Sequence, residues 1–260
     1  MFDRSHIFSD FFAHKENLVT GIEARIKVAF TAVALVINLL SPTVYTPIAI
    51  ALFCLIALIA VGIPPRLLAL RLAMPLVMAG VVMITQIFFY GTTALFIIPF
   101  WGFNLVGYEE GLARGLLIMS RVIGGVSLII FLSMSTPANK LLLAAAWFRV
   151  PKIFIELTLL VYRYIFVLLE EIMTIRDAQR VRLGYYNWRR SMKSLGILGG
   201  SLILRAYDRA ERVFEAMVAR GYTGTMTIAY TERFGRRDFV AAVCLSAILV
   251  ILYLVGQVKA

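Results

Sequence analysis

Five long apolar stretches constrain this chain more than any other feature of its sequence. They lie at 26–41, 46–63, 72–90, 112–135 and 239–257. None contains an internal acidic residue, and each is apolar enough to cross a bilayer core about 30 Å thick as a helix. Hydrophobic residues make up 61% of the 260 residues, against roughly 45 to 50% in soluble domains. The sequence therefore predicts an all-α integral membrane protein.

A sixth stretch, 153–169, has two interpretations because it is short and contains Glu156 and Arg163. It is either an amphipathic helix against the inner leaflet or a sixth span in which these two charges pair. The distribution of Lys and Arg favours five spans. Five spans place the basic N-terminal arm on the same side as the basic segment 140–237, opposite the loop 91–108, which has no Lys or Arg. We therefore predict that the N-terminus and the basic segment are cytoplasmic.

This topology divides the chain into four parts. They are an N-terminal arm (1–25), four transmembrane helices (26–135), cytoplasmic or interfacial helices (136–238), and a last transmembrane helix with the C-terminus (239–260). The N-terminal arm lacks the basic and apolar regions of a secretory signal, so we expect no cleavage. The net charge of +11 is a topology signal, because the apolar stretches leave no room for a soluble basic domain that would bind nucleic acid.

The segment 136–238 contains two long helical patterns that both end at an arginine and a glycine. The first runs from Pro151 to Leu183, with Gly184 predicted as a left-handed C-cap, and the second begins near Leu195. The second pattern ends at Ala219, Arg220 and Gly221.

Arg182 in the first pattern and Arg220 in the second also have a plain structural interpretation. An arginine in a last turn interacts favourably with the helix dipole, by about 0.3 to 1 kcal/mol. Two similar ends on consecutive helices favour a further role, because a guanidinium group at a helix end can enter a partner's groove and bind a carboxylate there. The second helix also has an apolar stripe that another helix, the membrane or a partner must cover. The stripe consists of Ala210, Val213, Phe214 and Met217.

Several segments of the chain resemble the transmembrane T component of energy-coupling-factor transporters, the EcfT and CbiQ family of ABC importers. The matching segments are Ile22-Glu23-Ala24-Arg25-Ile26-Lys27, Ser133-Met134-Ser135-Thr136-Pro137, Arg149-Val150-Pro151-Lys152, Tyr162-Arg163-Tyr164-Ile165-Phe166, Ala178-Gln179-Arg180-Val181-Arg182-Leu183-Gly184 and Glu215-Ala216-Met217-Val218-Ala219-Arg220-Gly221. The last two look like the family's paired Ala-Arg-Gly motifs. The first motif departs from the pattern, because Val181 replaces Ala and Leu183 separates Arg from Gly. A third copy, Ala113-Arg114-Gly115, is interpreted as a chance occurrence.

The resemblance implies a non-catalytic subunit of a prokaryotic inner-membrane importer. Its two motifs would dock two ABC ATPase subunits, which bind the ATP and Mg, through Arg182, Gly184, Ala219, Arg220 and Gly221. A substrate-binding membrane subunit, the S component, would be either CbiM-like or of the vitamin type, and the resemblance leans towards cobalt or nickel. We expect no cofactor and no metal site in this chain, since His6 and His14 lack a carboxylate cluster.

Three other classes remain as alternatives. A conventional ABC permease would share Glu215-Ala216-Met217 and Gly221, but the Ile and Leu-Pro that follow in such loops are missing. A membrane-embedded transferase would need acidic metal-binding motifs, and a channel or secondary carrier usually has several charged residues inside its spans. Arg121 is the one internal charge in the five predicted spans, and it has a plain packing interpretation against a neighbouring helix's carbonyl groups.

Overall fold

The computed structural model describes residues 22–100, 103–148 and 150–224, together with Asp238, Val240, 242–247 and Val250. Seven helices and one hairpin lie in the continuous ranges. The helices are α1 (Ala24–Leu40), α2 (Tyr45–Ala60), α3 (Pro65–Phe89), α4 (Glu109–Ser135), α5 (Ala138–Trp147), α6 (Lys152–Val181) and α7 (Trp188–Ala219). The strands are β1 (Ala94–Phe100) and β2 (Phe103–Tyr108). The chain divides into two compact units, Met1–Ala144 with Glu232–Ala260, and Ala145–Thr231.

Helix α4 lies at the centre of the first unit and packs against α1, α2 and α3. Its buried apolar side chains meet those of α1 and α2 in one core. The core includes Phe30, Ala34, Ile50, Cys54, Leu58, Leu128, Phe131 and Met134. The opposite faces are also apolar: Leu70 and Met74 of α3, for example, are 73% and 78% exposed. Apolar side chains on both faces are what helices surrounded by lipid require, so the all-helical membrane class is confirmed.

The helices of the first unit differ in length. Among the described residues, α3 and α4, with 25 and 27 residues, are the two helices that are long and apolar enough to cross a membrane. Helix α2 is apolar but has 16 residues, and α1 has 17, so each extends only about 25 Å at roughly 1.5 Å per residue. The predicted first four spans therefore correspond to helices, of which the first two are shorter than the hydrocarbon core. The last predicted span, 239–257, lies mostly outside the described residues.

An antiparallel hairpin joins α3 to α4. It lies in the loop 91–108, which has no Lys or Arg. Its register pairs Ile98 with Leu105 and Ile97 with Val106. Thr92 Oγ1 and Glu110 Oε1 lie 3.0 Å apart beside it. This small sheet is an addition to the predicted all-helical architecture.

A polar contact holds the end of α1 against the middle of α4. Arg121 Nη2 donates to the Ser41 carbonyl oxygen at 2.8 Å, and Asn38 Nδ2 donates to the Arg121 carbonyl oxygen at 2.9 Å. Gly124 permits this approach, because a Cβ atom there would lie 2.5 Å from Asn38 Oδ1. Arg121 thus binds one carbonyl group at the C-terminal end of α1, as its packing interpretation predicted.

The second unit contains two long helices whose bounds differ from those predicted. Helix α6 runs unbroken for 30 residues and includes the ambiguous stretch 153–169; within it Glu156 is buried and Arg163 is exposed. Helix α6 does not meet the criterion of length and apolarity that α3 and α4 meet. The prediction that α7 begins near Leu195 was wrong: it begins at Trp188, whose N–H donates to the Asn187 side chain at 2.8 Å. Asparagine is among the preferred N-cap residues, which accounts for the earlier start.

Candidate functional site

Helices α6 and α7 form an antiparallel pair. Near the C-terminus of α6, Gln179 Nε2 donates to the Ser194 carbonyl oxygen, close to the N-terminus of α7, at 3.0 Å. Further back along α6, Glu171 pairs with Arg209 at 3.5 Å. Residue numbers therefore rise along one helix as they fall along the other. The C-terminal ends of α6 and α7, which bear the two predicted arginines, lie at opposite ends of the pair.

The first tip, which we define as Arg182, Leu183 and Gly184, ends α6 in a Schellman motif. Leu183 N–H donates to the Arg180 carbonyl oxygen at 3.1 Å, and Gly184 N–H donates to the Gln179 carbonyl oxygen at 2.9 Å. Arg182 is the C-cap residue, and Leu183 has the left-handed conformation with φ of 54°. The prediction that Gly184 is the left-handed residue was therefore wrong, because the turn reverses one residue earlier.

The second tip, defined as Arg220, Gly221 and Tyr222, ends α7 in the same way. Gly221 N–H donates to the Val218 carbonyl oxygen at 2.9 Å, and Tyr222 N–H donates to the Met217 carbonyl oxygen at 3.0 Å. Arg220 is the C-cap residue, and Gly221, at which the second helical pattern was predicted to end, has φ of 84°. Ala219 is the last residue of the helix.

The arginine is what sets these two helix ends apart. Helix α2 also ends with a left-handed glycine, Gly62, but its C-cap residue is Val61. At both tips the C-cap position holds an exposed arginine instead, Arg182 or Arg220. The two arginines are therefore equivalent in backbone position even though their motifs differ in sequence. In both cases a long, exposed cationic side chain lies at the end of a helix.

The first tip is also fastened to α7. Ser194 Oγ donates to the Gly184 carbonyl oxygen at 3.0 Å, and Tyr185 Oη donates to Gln179 Oε1 at 2.7 Å. A Cβ atom on Gly184 would lie 2.7 Å from Ser194 Oγ and 2.9 Å from the Gln179 carbonyl oxygen. Glycine is required here for close approach between the helices rather than for a left-handed φ. At the second tip, a Cβ atom on Gly221 would meet nothing within 4 Å.

The length of α7 sets the distance between the tips. It has 32 residues, which corresponds to about 48 Å at roughly 1.5 Å per residue. The first tip is bonded to Ser194, so the two arginines are separated along α7 by about 40 Å. Contacts that the two arginines make with other molecules would therefore fall on separate surfaces.

An apolar groove of about 440 Å³ lies between the N-terminal half of α6 and the C-terminal half of α7. The predicted apolar stripe of α7 forms one wall, and α6 contributes Leu157, Val161 and Tyr164 to the other. Helix α6 is thus the element that partly covers the stripe. Phe214 remains 56% exposed.

The third Ala-Arg-Gly copy has a different setting. It lies inside α4 rather than at a helix end, and the Arg114 guanidinium group stacks 4.2 Å from the centroid of the Tyr90 ring. Its interpretation as a chance occurrence stays a prediction. Within the ranges that the structure describes, no group of three or more His, Cys, Asp or Glu residues could hold a metal ion. His6 and His14 lie outside the described residues.

Fold and site together define a helical membrane protein that carries a two-helix unit with an exposed arginine at each end. The chain belongs to the CbiQ family of cobalt transport proteins, whose family model matches residues 15–230. This confirms the resemblance found in the sequence and identifies the chain as a transport-protein component.

Two relatives show similarity over about four fifths of the chain, and a third over about half of it. An uncharacterized protein of Methanocaldococcus jannaschii is 31% identical over 83% of this chain and 81% of its own length. A fused cobalt transport protein CbiMQ of Methanocorpusculum labreanum is 33% identical over 81% of this chain but only 36% of its own length. The cobalt transport protein CbiQ of Rhodobacter capsulatus is 35% identical over 47% of this chain and 50% of its own length.

Proposed function

We propose that this chain is the transmembrane coupling component of an energy-coupling-factor importer. In this role it transmits the ATP-driven motion of two ATPase subunits to a substrate-binding membrane subunit. The chain itself performs no catalysis and holds no cofactor, since ATP and Mg are bound by the ATPases. The observation that supports this proposal best is the pair of equivalent tips, each with an exposed arginine at the C-cap position.

Each tip suits a partner that offers a carboxylate in a groove. The guanidinium group of Arg182 or Arg220 remains charged at any physiological pH and can form two parallel hydrogen bonds to one carboxylate. Because the two arginines lie about 40 Å apart along α7, each tip would contact a separate partner surface. Two copies of an ATPase, or two similar ATPases, match two equivalent tips. Closure of the ATPase pair would then pull on both ends of the antiparallel helices.

Cobalt is the proposed substrate, on the basis of the family and of the relatives' names. The fused CbiMQ relative supports a CbiM-like membrane subunit as the partner that binds the substrate. Nickel and a vitamin are the other substrate classes that the sequence resemblance allows. The metal would be bound by the partner subunit rather than by this chain.

The proposed location is the inner membrane of a prokaryote, with the N-terminus and the segment 136–238 in the cytoplasm. The support is the distribution of basic residues, which concentrates Lys and Arg on the side assigned to the cytoplasm. The ATPases need this orientation, because they bind cytoplasmic ATP. Cysteine labelling of Arg220→Cys from the outer side of intact cells tests it. Labelling by an impermeant reagent would refute the orientation.

Alanine variants of the two tip arginines test the coupling role. Arg182→Ala and Arg220→Ala each remove a charge-assisted contact worth about 1.5 to 3 kcal/mol, or roughly 10-fold to 100-fold in affinity. We expect each single variant to retain less ATPase on co-purification, and the double variant to lose cobalt uptake. Arg205→Ala is the matched control, because Arg205 is also exposed but lies in the middle of α7. Normal uptake by the double variant would refute the proposal.

A further inference from the structure

The proposed coupling segment is joined to the membrane bundle at two junctions. The proposed segment, 136–238, begins directly after the C-terminus of α4 at Ser135 and ends at Asp238, and both of these residues belong to the first unit. Along the chain, motion of the coupling helices reaches the bundle through these junctions. The contacts that hold these two junctions therefore determine whether motion of the coupling helices is transmitted to the bundle.

The first turn of α1 contacts both junctions. Lys27 Nζ donates to the Ser135 carbonyl oxygen at 2.9 Å, a contact between residues that are 108 positions apart. The backbone N–H of Glu23 donates to Asp238 Oδ1 at 3.1 Å, across 215 positions. One turn of one helix is thus bonded to the place where the coupling segment begins and to the place where it ends.

The Lys27 contact is fully buried. Lys27 is 1% exposed and Ser135 is 0% exposed, and the neighbouring Thr136 is 2% exposed. Lysine is almost never fully buried without a partner, because removing an ammonium group from water is costly. The carbonyl groups at the end of α4 compensate that cost, since they lack partners within the helix and carry its partial negative charge. A methionine or leucine would fill the same space without the charge, so packing alone does not explain a lysine here.

The Glu23 contact lies beside a second ionic interaction. Glu23 is the N-cap residue of α1 and is 6% exposed. Its carboxylate pairs with Arg25 Nε at 3.1 Å. The Glu23 N–H that meets Asp238 would otherwise be one of the unpaired donors before the helix. Buried charges whose partners lie close together hold their geometry strongly, because loss of one partner leaves the other uncompensated.

We infer that the first turn of α1, residues 23–27, fastens both junctions of the coupling segment and thereby passes its motion to the membrane bundle. This inference rests on the proposed coupling function and adds positioning residues to it. Lys27 fixes the exit at Ser135, and Asp238 fixes the return at Glu23. Neither residue contacts substrate or ATP. Their role is to keep the two junctions at a constant distance from α1 while the tips move.

The contact itself can be tested on the isolated full-length chain in detergent. Lys27→Met removes the donor and keeps an unbranched side chain of similar length. We expect amides at the start of α5, 138–142, to exchange hydrogen on the order of 10-fold faster, as loss of a charged hydrogen bond would produce. Lys27→Arg, which keeps the charge and the donor, should restore most of the protection. Thr31→Val is the matched control, because Thr31 is also buried and its hydroxyl donates within α1, to the Lys27 carbonyl oxygen.

The positioning role is tested in the complex reconstituted with its ATPases and substrate subunit. Asp238→Ala is the second variant, and it keeps the test decisive if Lys27→Met does not fold. In both variants we expect the ATPases to co-purify and ATP hydrolysis to continue, while Co²⁺ uptake per ATP falls on the order of 10-fold. Thr31→Val and Lys27→Arg should stay close to the unmodified chain.

The possible results separate this inference from the function on which it rests. Unchanged hydrogen exchange in Lys27→Met, or unchanged uptake per ATP in the folded Lys27→Met and Asp238→Ala variants, would overturn the inference. Normal uptake by the double variant of Arg182 and Arg220 would instead overturn the proposed function. Faster exchange at the junction together with lower uptake per ATP is the result that we expect.

Discussion

A substitution at the left-handed residue of each tip tests whether the two tips have equivalent backbones. Leu183 has φ of 54° and Gly221 has φ of 84°, both at the position after the C-cap arginine. Leu183→Gly removes a side chain from a left-handed residue, and Gly221→Ala adds one. The two substitutions should therefore change the stability of their helix ends in opposite directions.

The magnitudes follow from the conformation and the surroundings of each residue. A left-handed conformation costs a residue with a Cβ atom about 1 to 2 kcal/mol, and the extra freedom of unfolded glycine offsets roughly 0.5 to 1 kcal/mol of that. Leu183 is 62% exposed, so its removal sacrifices little burial, and the net gain is about 0.5 to 1 kcal/mol. At Gly221 a Cβ atom would meet nothing within 4 Å, so the cost of Gly221→Ala is purely conformational, about 1 kcal/mol.

Hydrogen exchange at the last turn of each helix measures both effects. We expect the amides of Leu183→Gly near the end of α6 to exchange about 2-fold to 5-fold more slowly, and those of Gly221→Ala near the end of α7 about 5-fold faster. Gly184→Ala is the contrasting variant, because its Cβ atom would lie 2.7 Å from Ser194 Oγ and loosen the first tip by a clash instead. Faster exchange in Leu183→Gly, or no change in Gly221→Ala, would refute the assignment of the two Schellman motifs.

Two further predictions use pairs of neighbouring or similar residues. Gly124→Ala should destabilise the bundle by about 1 to 3 kcal/mol, since its Cβ atom would lie 2.5 Å from Asn38 Oδ1, whereas Gly125→Ala, with 3.5 Å to its nearest contact, should be neutral. Thermal unfolding in detergent measures this difference, and equal midpoints for the two variants would contradict the packing argument. Ser194→Ala should weaken the first tip by about 1 kcal/mol because it removes the hydrogen bond to that tip, while Ser201→Ala, which loses only a bond within α7, should not. Hydrogen exchange at 184–186 compares the two serine variants, and equal rates would contradict the role given to Ser194.

The membrane helices were predictable because a span imposes length and apolarity on a continuous stretch of sequence. The predicted stretch 112–135 lies within α4, and 72–90 lies within α3 except for its last residue, Tyr90. The start of α7 was missed because its first two turns carry exposed polar and aromatic residues, which are equally typical of a loop. The signal that identifies the start is Asn187, an N-cap residue directly before Trp188. The antiparallel hairpin was missed because its apolar residues gave no separate indication of strands.

The positions of the two candidate arginines at helix ends were predictable, but the backbone conformations around them were not. Both arginines were found from their place before a glycine at the end of a helical pattern. The left-handed Leu183 was missed, because glycine is the usual residue in that conformation and one was available next to it. The burial of Lys27 was missed as well, since a lysine near the start of a span normally indicates topology rather than a contact with a distant helix.

Both tips have the same backbone motif, but each tip requires its glycine for a different physical reason. At the second tip the glycine occupies the left-handed position, where it relieves conformational cost. At the first tip the left-handed position is filled by Leu183, and the glycine moves one residue further along, where Ser194 approaches too closely for any side chain. Because the turn itself is unchanged, the arginine stays at the C-cap position in both. The feature to compare between such helix ends is therefore the position of the arginine relative to the reversal of the chain, and not its distance from a glycine in the sequence.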